Sequence, residues 1–132
     1  KSFFLKSLEQ NSKLAEAYFS LAEIYRIDGQ REDAIASYIK GLKINPTDHN
    51  SRFNLAELYR LNGLTNKAIK ENTIAVRLKS DFKEAYFNLG GLYISKRYYK
   101  AAKFYYDKAE KLGFKIPETN RNQLDALKKN NL

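Results

Sequence analysis

The sequence has 132 residues, a formal net charge of +9 and a 43% share of hydrophobic residues, which is typical of one globular domain rather than a disordered chain. It contains no cysteine and a single histidine, His49. Disulfides, thiolate metal sites and sites with two histidine ligands are therefore excluded. No apolar run reaches the roughly 18 residues that indicate a membrane-spanning helix, and we predict no cofactor.

The first predicted helix, residues 1–14, contains residue types that recur at a fixed distance along the chain. Phe4 aligns with Tyr38, and Leu8 aligns with Leu42. A fixed period of about 34 residues is typical of helical repeats that stack side by side. We therefore expect residues 1–14 to be the second helix of a truncated unit whose first helix is missing.

Three full units are predicted at residues 15–48, 49–82 and 83–116. They carry the related phrases YFSLAEIYR, RFNLAELYR and YFNLGGLYI, each starting one period after the last. We call the set of positions that share one place in this period a column. The columns that predict packing are Leu21, Leu55 and Leu89; Ala22, Ala56 and Gly90; Tyr25, Tyr59 and Tyr93; and Ala34, Ala68 and Ala102. Each unit reads as two helices, because its apolar residues recur at i, i+3, i+4 and i+7 and glycines follow where a helix ends.

The last segment, residues 117–132, is predicted to be a capping helix. Gly113 ends the preceding helix, and Pro117 suits the first position of another. Leu124 and Leu127 fall in the columns of Ala22 and Tyr25, whereas the rest of the segment is polar. We expect this helix, from about residue 118 to 129, to cover the last unit and to fray at its end.

With this period and these columns, the sequence resembles the tetratricopeptide repeat (TPR) family, whose repeat has the same length. The residues that carry the resemblance are Tyr18, Leu21, Ala22, Tyr25, Gly29, Ala34, Tyr38 and Pro46. The resemblance implies an all-α, right-handed α-solenoid of antiparallel helix hairpins, forming a single domain over residues 1–132. Asn72 departs from the pattern in the column of Tyr38, and Arg97 stands in the column of Gly29.

The first helix of each unit has a second face that packing does not obviously need. In TPR arrays this face lines a concave surface, so the resemblance implies a groove. The candidate groove residues are Phe19, Glu23, Arg26, Phe53, Asn54, Glu57, Arg60, Phe87 and Asn88. Phenylalanine offers apolar area, asparagine can bond a peptide backbone, and arginine can fork onto a carboxylate. The alternative is structural: the phenylalanines pack against the following helix, and the Glu–Arg pairs are ordinary surface ion pairs.

Chaperone-binding members of the family grip a C-terminal carboxylate with lysine and asparagine in the first unit, asparagine in the second, and lysine and arginine in the third. At those positions this sequence has Phe19 and Glu23, then Asn54, then Glu84 and Asn88. Only Asn54 matches, so the resemblance argues against such a clamp. The sequence therefore predicts a non-catalytic module or scaffold that binds a peptide segment or helix.

Basic charge is concentrated in the third unit, which has eight basic and three acidic residues, a net of +5. Its candidate basic patch is Lys96, Arg97, Lys100 and Lys103. Such a patch could attract nucleic acid or an anionic partner, but lysine-rich outer helices are usually just solvated, and nucleic acid is disfavoured.

Self-association through an exposed N-terminal end is the remaining alternative. Catalysis is not predicted, since the sequence has no phosphate-binding glycine loop and His49 lies in a polar turn beside Asp48. The compartment stays open, with the cytoplasm favoured.

Overall fold

Seven helices and no strands occupy residues 2–130. The computed structural model describes the backbone of these residues, and the side chains of residues 6, 7 and 9–130. The helices are α1 (Ser2–Ile27), α2 (Arg31–Ile44), α3 (His49–Leu61), α4 (Thr65–Leu78), α5 (Lys83–Ser95), α6 (Tyr99–Lys111) and α7 (Glu118–Asn130). The predicted alignment of Phe4 and Leu8 lies outside the described side chains, as does the predicted frayed end at residues 131 and 132.

The helices form antiparallel hairpins that stack in sequence. α1 packs on α2, α3 on α4 and α5 on α6, while α2 contacts α3 and α4 contacts α5. α7 contacts both α5 and α6. The predicted all-α solenoid is therefore confirmed.

The turn between the two helices of each hairpin contains a residue in the left-handed backbone conformation. Gly29 and Gly63 have φ values of 76° and 75°, and the residue after each donates its N–H to a carbonyl five residues earlier. In the third hairpin Arg97 takes the same conformation, with φ of 64°. The turn is therefore set by its position in the repeat, although a side chain in this conformation costs roughly 1–2 kcal/mol.

Small residues opposite large ones fill the core. Ala22, Ala34 and Ala102 are fully buried, as are the rings of Tyr38 and Tyr106. A Cβ built onto Gly90 would lie 2.2 Å from Tyr106 Cδ1, so that position has room only for glycine. Among the described side chains the core comprises two clusters, one centred on α1–α4 and the other on α4–α7.

The structure differs from the expectation for residues 1–14. α1 is one continuous helix from Ser2 to Ile27, so residues 2–14 do not form a separate helix. The later links are held by the residue just before the next helix: Asp48 accepts from Ser51 N at 3.3 Å, and Phe82 is buried. Leu14 occupies the same column but is 48% exposed and has no side-chain acceptor, so nothing stops the helix there.

α7 covers the last unit with a rotated face. Leu124 and Leu127 are buried, as predicted, with exposures of 3% and 5%. Thr119, Gln123 and Ala126 are exposed, although their columns are buried in α3 and α5. The link from α6 to α7 spans residues 112–117, two residues longer than the links at 45–48 and 79–82. This longer link permits α7 to turn a polar face outward.

Candidate functional site

The groove face of the first unit carries a glutamate held by two partners. Glu23 accepts hydrogen bonds from the Arg26 guanidinium, including one from Nε at 3.1 Å, and from the Tyr38 hydroxyl at 3.1 Å. The Arg26 hydrogen bond lowers the pKa of Glu23. Burial, reinforced by Glu23, raises the pKa of Tyr38 to about 12. The pair is therefore satisfied within the protein and tied to the core.

The second unit repeats this pair and links it to the third unit. Glu57 accepts from Arg60 Nε at 3.0 Å and, across the repeat boundary, from Asn88 Nδ2 at 3.4 Å. The hydrogen bond to Glu57 raises the pKa of Arg60, which remains a full cation. The structure thus brings together three of the predicted groove residues from two units.

These three residues line a cavity of about 560 Å³, which we call the groove cavity. Its lining is Glu57, Arg60, Gly63, Thr65, Phe87, Asn88, Gly91, Leu92, Ser95 and Asn120. Cavities of roughly 300–1,000 Å³ are the usual size of ligand sites. Of the remaining predicted groove residues, Glu23, Arg26 and Asn54 do not line it.

The sequence did not predict the contribution of α7 to this cavity. Asn120 Nδ2 donates to the Tyr106 hydroxyl at 3.2 Å, and Asn120 lines the cavity. By repeat register Asn120 falls in the column of Tyr18 and Tyr86, outside the predicted groove face. Only the rotation of α7 brings it to the cavity, and no repeat pattern indicates that rotation.

The three phenylalanines of the predicted groove face, Phe19, Phe53 and Phe87, pack against neighbouring parts of the protein. A Cβ on Gly41 would lie 2.4 Å from Phe19 Cε1, so the Phe19 ring covers that glycine. The Phe53 ring lies 4.9 Å from that of Phe82. Phe87 stacks at 4.6 Å on Phe114 and is the one member of this column that lines the groove cavity. Each of the three rings is half-buried against a neighbouring helix or link, as the packing alternative requires, and a role for them in binding a partner stays a prediction.

Three sequence profiles of tetratricopeptide repeats match the chain, at residues 3–36, 22–63 and 83–112. Together they cover more than half of it. The chain belongs to the TPR family. No curated protein matches its sequence.

Solved TPR structures share the fold. The first TPR of Spaghetti (RPAP3), bound to the HSP90 peptide SRMEEVD, has a TM-score of 0.79 at 23% identity and covers 89% of this chain and 93% of its own. The type III secretion chaperone SycD of Yersinia enterocolitica, in complex with a peptide of the translocator YopD, has a TM-score of 0.76 at 19% identity, with coverages of 89% and 94%. MamA has a TM-score of 0.73 at 28% identity and covers 76% of this chain. This chain matches 55% of the MamA chain.

One member of the predicted basic patch of this TPR array is paired with a carboxylate. Lys103 Nζ pairs with Asp107 at 2.5 Å, and that carboxylate raises the pKa of Lys103. Lys96 Nζ donates to Asn66 Oδ1 at 2.7 Å. Arg97 and Lys100 are exposed. Binding of nucleic acid or another anionic partner here stays a prediction, with less free charge to support it than the sequence indicated.

The second unit also contains a partly buried ion pair that the sequence did not predict. Arg52 Nη1 and Glu71 Oε1 lie 2.8 Å apart, with side-chain exposures of 17% and 11%. Arg52 also donates to the carbonyl of Pro46. The sequence did contain a signal for a polar contact here, because Arg52 replaces the tyrosine found in the same column at Tyr18 and Tyr86.

Two further properties bear on function. Among residues 2–130 no group of three histidine, aspartate or glutamate side chains is arranged to hold a metal ion. Within the same range, no helix has the length and apolar character needed to cross a membrane.

Proposed function

We propose that this chain is a non-catalytic protein-interaction module that binds an extended peptide segment of a partner in its concave groove. The observation that carries the proposal is the groove cavity, which joins the second unit, the third unit and α7. Its size and its mixed lining suit part of a peptide rather than a single small ion.

The chemistry of the lining supports a peptide. Asn88 carries both amide donors and a carbonyl acceptor, which match the alternating groups of a peptide backbone. Its side chain is half-buried and, among the described residues, forms a single long hydrogen bond, to Glu57. The Arg60 side chain is 48% exposed, so its guanidinium can also reach a carboxylate or carbonyl of the partner.

Related folds support the same class of ligand. The structures of the first TPR of Spaghetti and of SycD each contain a peptide. At 23% and 19% identity to this chain, neither supplies the identity of its partner. They support only the class of ligand that we propose for this chain, which is a peptide.

The test is affinity capture with mass spectrometry from the source organism, using the wild-type chain and the double variant Arg60→Glu/Asn88→Asp. Both residues line the groove cavity, and neither belongs to the buried core. We expect the captured partners to be lost or reduced by about tenfold or more, because two recognition groups become anionic.

The matched control is Lys128→Glu/Asn122→Asp on α7, which makes equivalent charge changes at exposed positions outside the lining of the groove cavity. We expect this control to capture the wild-type partners. If the groove variant also captures them undiminished while remaining folded by circular dichroism, the groove assignment is wrong.

Self-association is the second candidate, and the surface of α1 favours it. Leu21 and Ile24 are 39% and 55% exposed. Their column partners Leu55 and Leu58 are each 2% exposed, because α2 covers them. A second copy that packs its own α1 there would bury the same apolar columns.

Light scattering across a wide concentration range tests this candidate. It predicts a dimer that Leu21→Glu converts to a monomer. A wild-type chain that stays monomeric at the highest concentration would remove self-association without affecting the groove.

A further inference from the structure

The polar groove face ends abruptly at the third unit. In the first two units the column of Glu23 and Glu57 is paired with an arginine three residues later. In the third unit the same two columns hold Gly91 and Ile94. The groove therefore loses a carboxylate and a guanidinium at the position where the groove cavity opens.

Packing does not explain Gly91. A Cβ built at this position meets only the Tyr106 hydroxyl, at 3.8 Å, which is ordinary van der Waals contact. The adjacent Gly90 is different, since its Cβ would lie 2.2 Å from Tyr106 Cδ1. Glycine inside a helix is also less stable than alanine. What Gly91 does provide is open space in the groove cavity, beside Phe87 and Leu92.

Basic side chains lie next to this opening. A second cavity of about 420 Å³ shares Gly63 and Thr65 with the groove cavity, and its lining includes Lys67 and Lys96. Lys67 lies 5.6 Å from the centre of the Tyr59 ring, and Lys96 bonds the neutral Asn66. Within the described part of the chain, neither ammonium group forms an ion pair with a carboxylate. A partner segment that continues from one cavity to the other passes two available cations.

We infer that the groove selects a peptide whose large apolar side chain enters the space left by Gly91 and whose neighbouring residues are acidic and face Lys67 and Lys96. This inference rests on the proposed function and adds the chemistry of the ligand. The apolar anchor fills the place where the repeat would put a glutamate, and the acidic residues meet charge of opposite sign.

The experiment selects a phage-displayed library of random short peptides against the whole 132-residue chain. Synthetic fluorescent copies of the enriched peptides are then titrated with the chain by polarization. We expect the enriched peptides to share a leucine, isoleucine, phenylalanine or tryptophan beside aspartate or glutamate. Replacing that anchor by alanine in the peptide weakens binding by about tenfold or more.

Three variants at one position test the pocket. Gly91→Glu restores the side chain of the other two units and should weaken binding by about tenfold or more, because it fills the space and repels acidic residues. Gly91→Gln separates bulk from charge and should weaken binding less. Gly91→Ala should bind within about threefold of wild type, since the Cβ has room. Thermal melts establish that each variant is folded, and Gly91→Gln replaces Gly91→Glu if the latter is not.

The result also separates this inference from the proposed function. If the peptides bind Gly91→Glu and Gly91→Gln as well as wild type but lose affinity for Arg60→Glu/Asn88→Asp, the groove stands and the anchor at Gly91 is overturned. Enriched peptides without an apolar residue would overturn it as well. If none of these variants changes binding, the groove assignment falls together with it.

Discussion

The second and third units are equivalent helix hairpins, but they fill the same columns with different side chains. In the second unit Arg52 and Glu71 form a partly buried ion pair. In the third unit the same two columns hold Tyr86 and Tyr105, whose rings stack at 6.2 Å. One hairpin is thus held together at this place by charge and the other by aromatic contact. A repeat therefore fixes where two side chains meet, and it leaves open which interaction joins them.

A second column shows the same contrast. Tyr106 is fully buried, and its hydroxyl accepts from Asn120. Asn72 occupies that column in the second unit at 1% exposure, and its Oδ1 has no hydrogen-bond partner within the part of the chain that the structure describes. The shorter side chain cannot reach the groove face as a tyrosine does. The second unit is therefore the more polar and the less completely satisfied of the two.

Among substitutions that remove a difference between the second and third units, we expect the largest change in stability at the Arg52–Glu71 ion pair. Glu71→Ala should lower the free energy of unfolding by about 2–3 kcal/mol, because it removes the charged partner of the partly buried Arg52 guanidinium. Urea unfolding followed by circular dichroism measures the change.

The control places the two tyrosines of the third unit at the equivalent positions of the second unit. The double variant Arg52→Tyr/Glu71→Tyr replaces the pair with stacked rings and should recover most of the loss. A loss under about 1 kcal/mol for Glu71→Ala would mean that the pair is effectively exposed.

Tyr38 occupies the column of Asn72 in the first unit. Because tyrosine is titratable and asparagine is not, we expect this position to make stability depend on alkaline pH. The pKa of Tyr38 is about 12 in the folded chain and about 10 when unfolded. The folded state holds the proton more tightly, so stability is intact below about pH 10 and falls as the pH rises toward 12, by about 2 kcal/mol.

Urea unfolding at a series of pH values measures this slope. Tyr38→Phe should flatten it, while lowering stability near neutral pH through the lost bond to Glu23. An unchanged slope in that variant would assign the alkaline transition to other tyrosines.

The buried amide of Asn72 gives the next effect. Asn72→Leu keeps a γ-branched shape and removes the unpaired carbonyl, so it should raise the free energy of unfolding by about 1–2 kcal/mol. Asn72→Asp should lower it, because the new carboxylate is buried. Chemical unfolding of the two variants decides the matter, and a destabilised Asn72→Leu would show that the site lacks the volume for leucine.

The smallest effect concerns the turn residues. Arg97→Gly should stabilise the chain by about 1 kcal/mol, because glycine adopts the left-handed conformation without strain. Gly63→Arg makes the reverse exchange in the second unit and should destabilise it by a similar amount. Thermal melts compare the two, and equal melting temperatures for Arg97→Gly and wild type would contradict the argument.

The repeat columns predicted the fold because packing must recur in every unit. Leu55 and Leu89 are buried as their columns require, and Gly29 and Gly63 end their helices. The sequence could not give features that arise where the repeat stops. The rotation of α7 depends on a link two residues longer, and the continuity of α1 depends on the absence of an anchor at Leu14.

The candidate site was predictable in part for the same reason. Glu57, Arg60 and Asn88 follow the register and lie together on one face, whereas their role in binding stays a prediction. The burial of Phe19 and Phe53 was not decided by register, because a half-buried ring and an exposed ring occupy the same column. Asn120 reaches the site only through the packing of α7.

The division of the core into two clusters has a consequence for motion. The two clusters meet on α4, where Ile69 packs against both. Because the contacts elsewhere are mainly between neighbouring elements, each half can open with limited disturbance of the other. Amide hydrogen exchange should then resolve two blocks of protection rather than one. The groove cavity takes its lining from α3, α5 and α7, so an occupant would hold both blocks at once and make them unfold as a single cooperative unit.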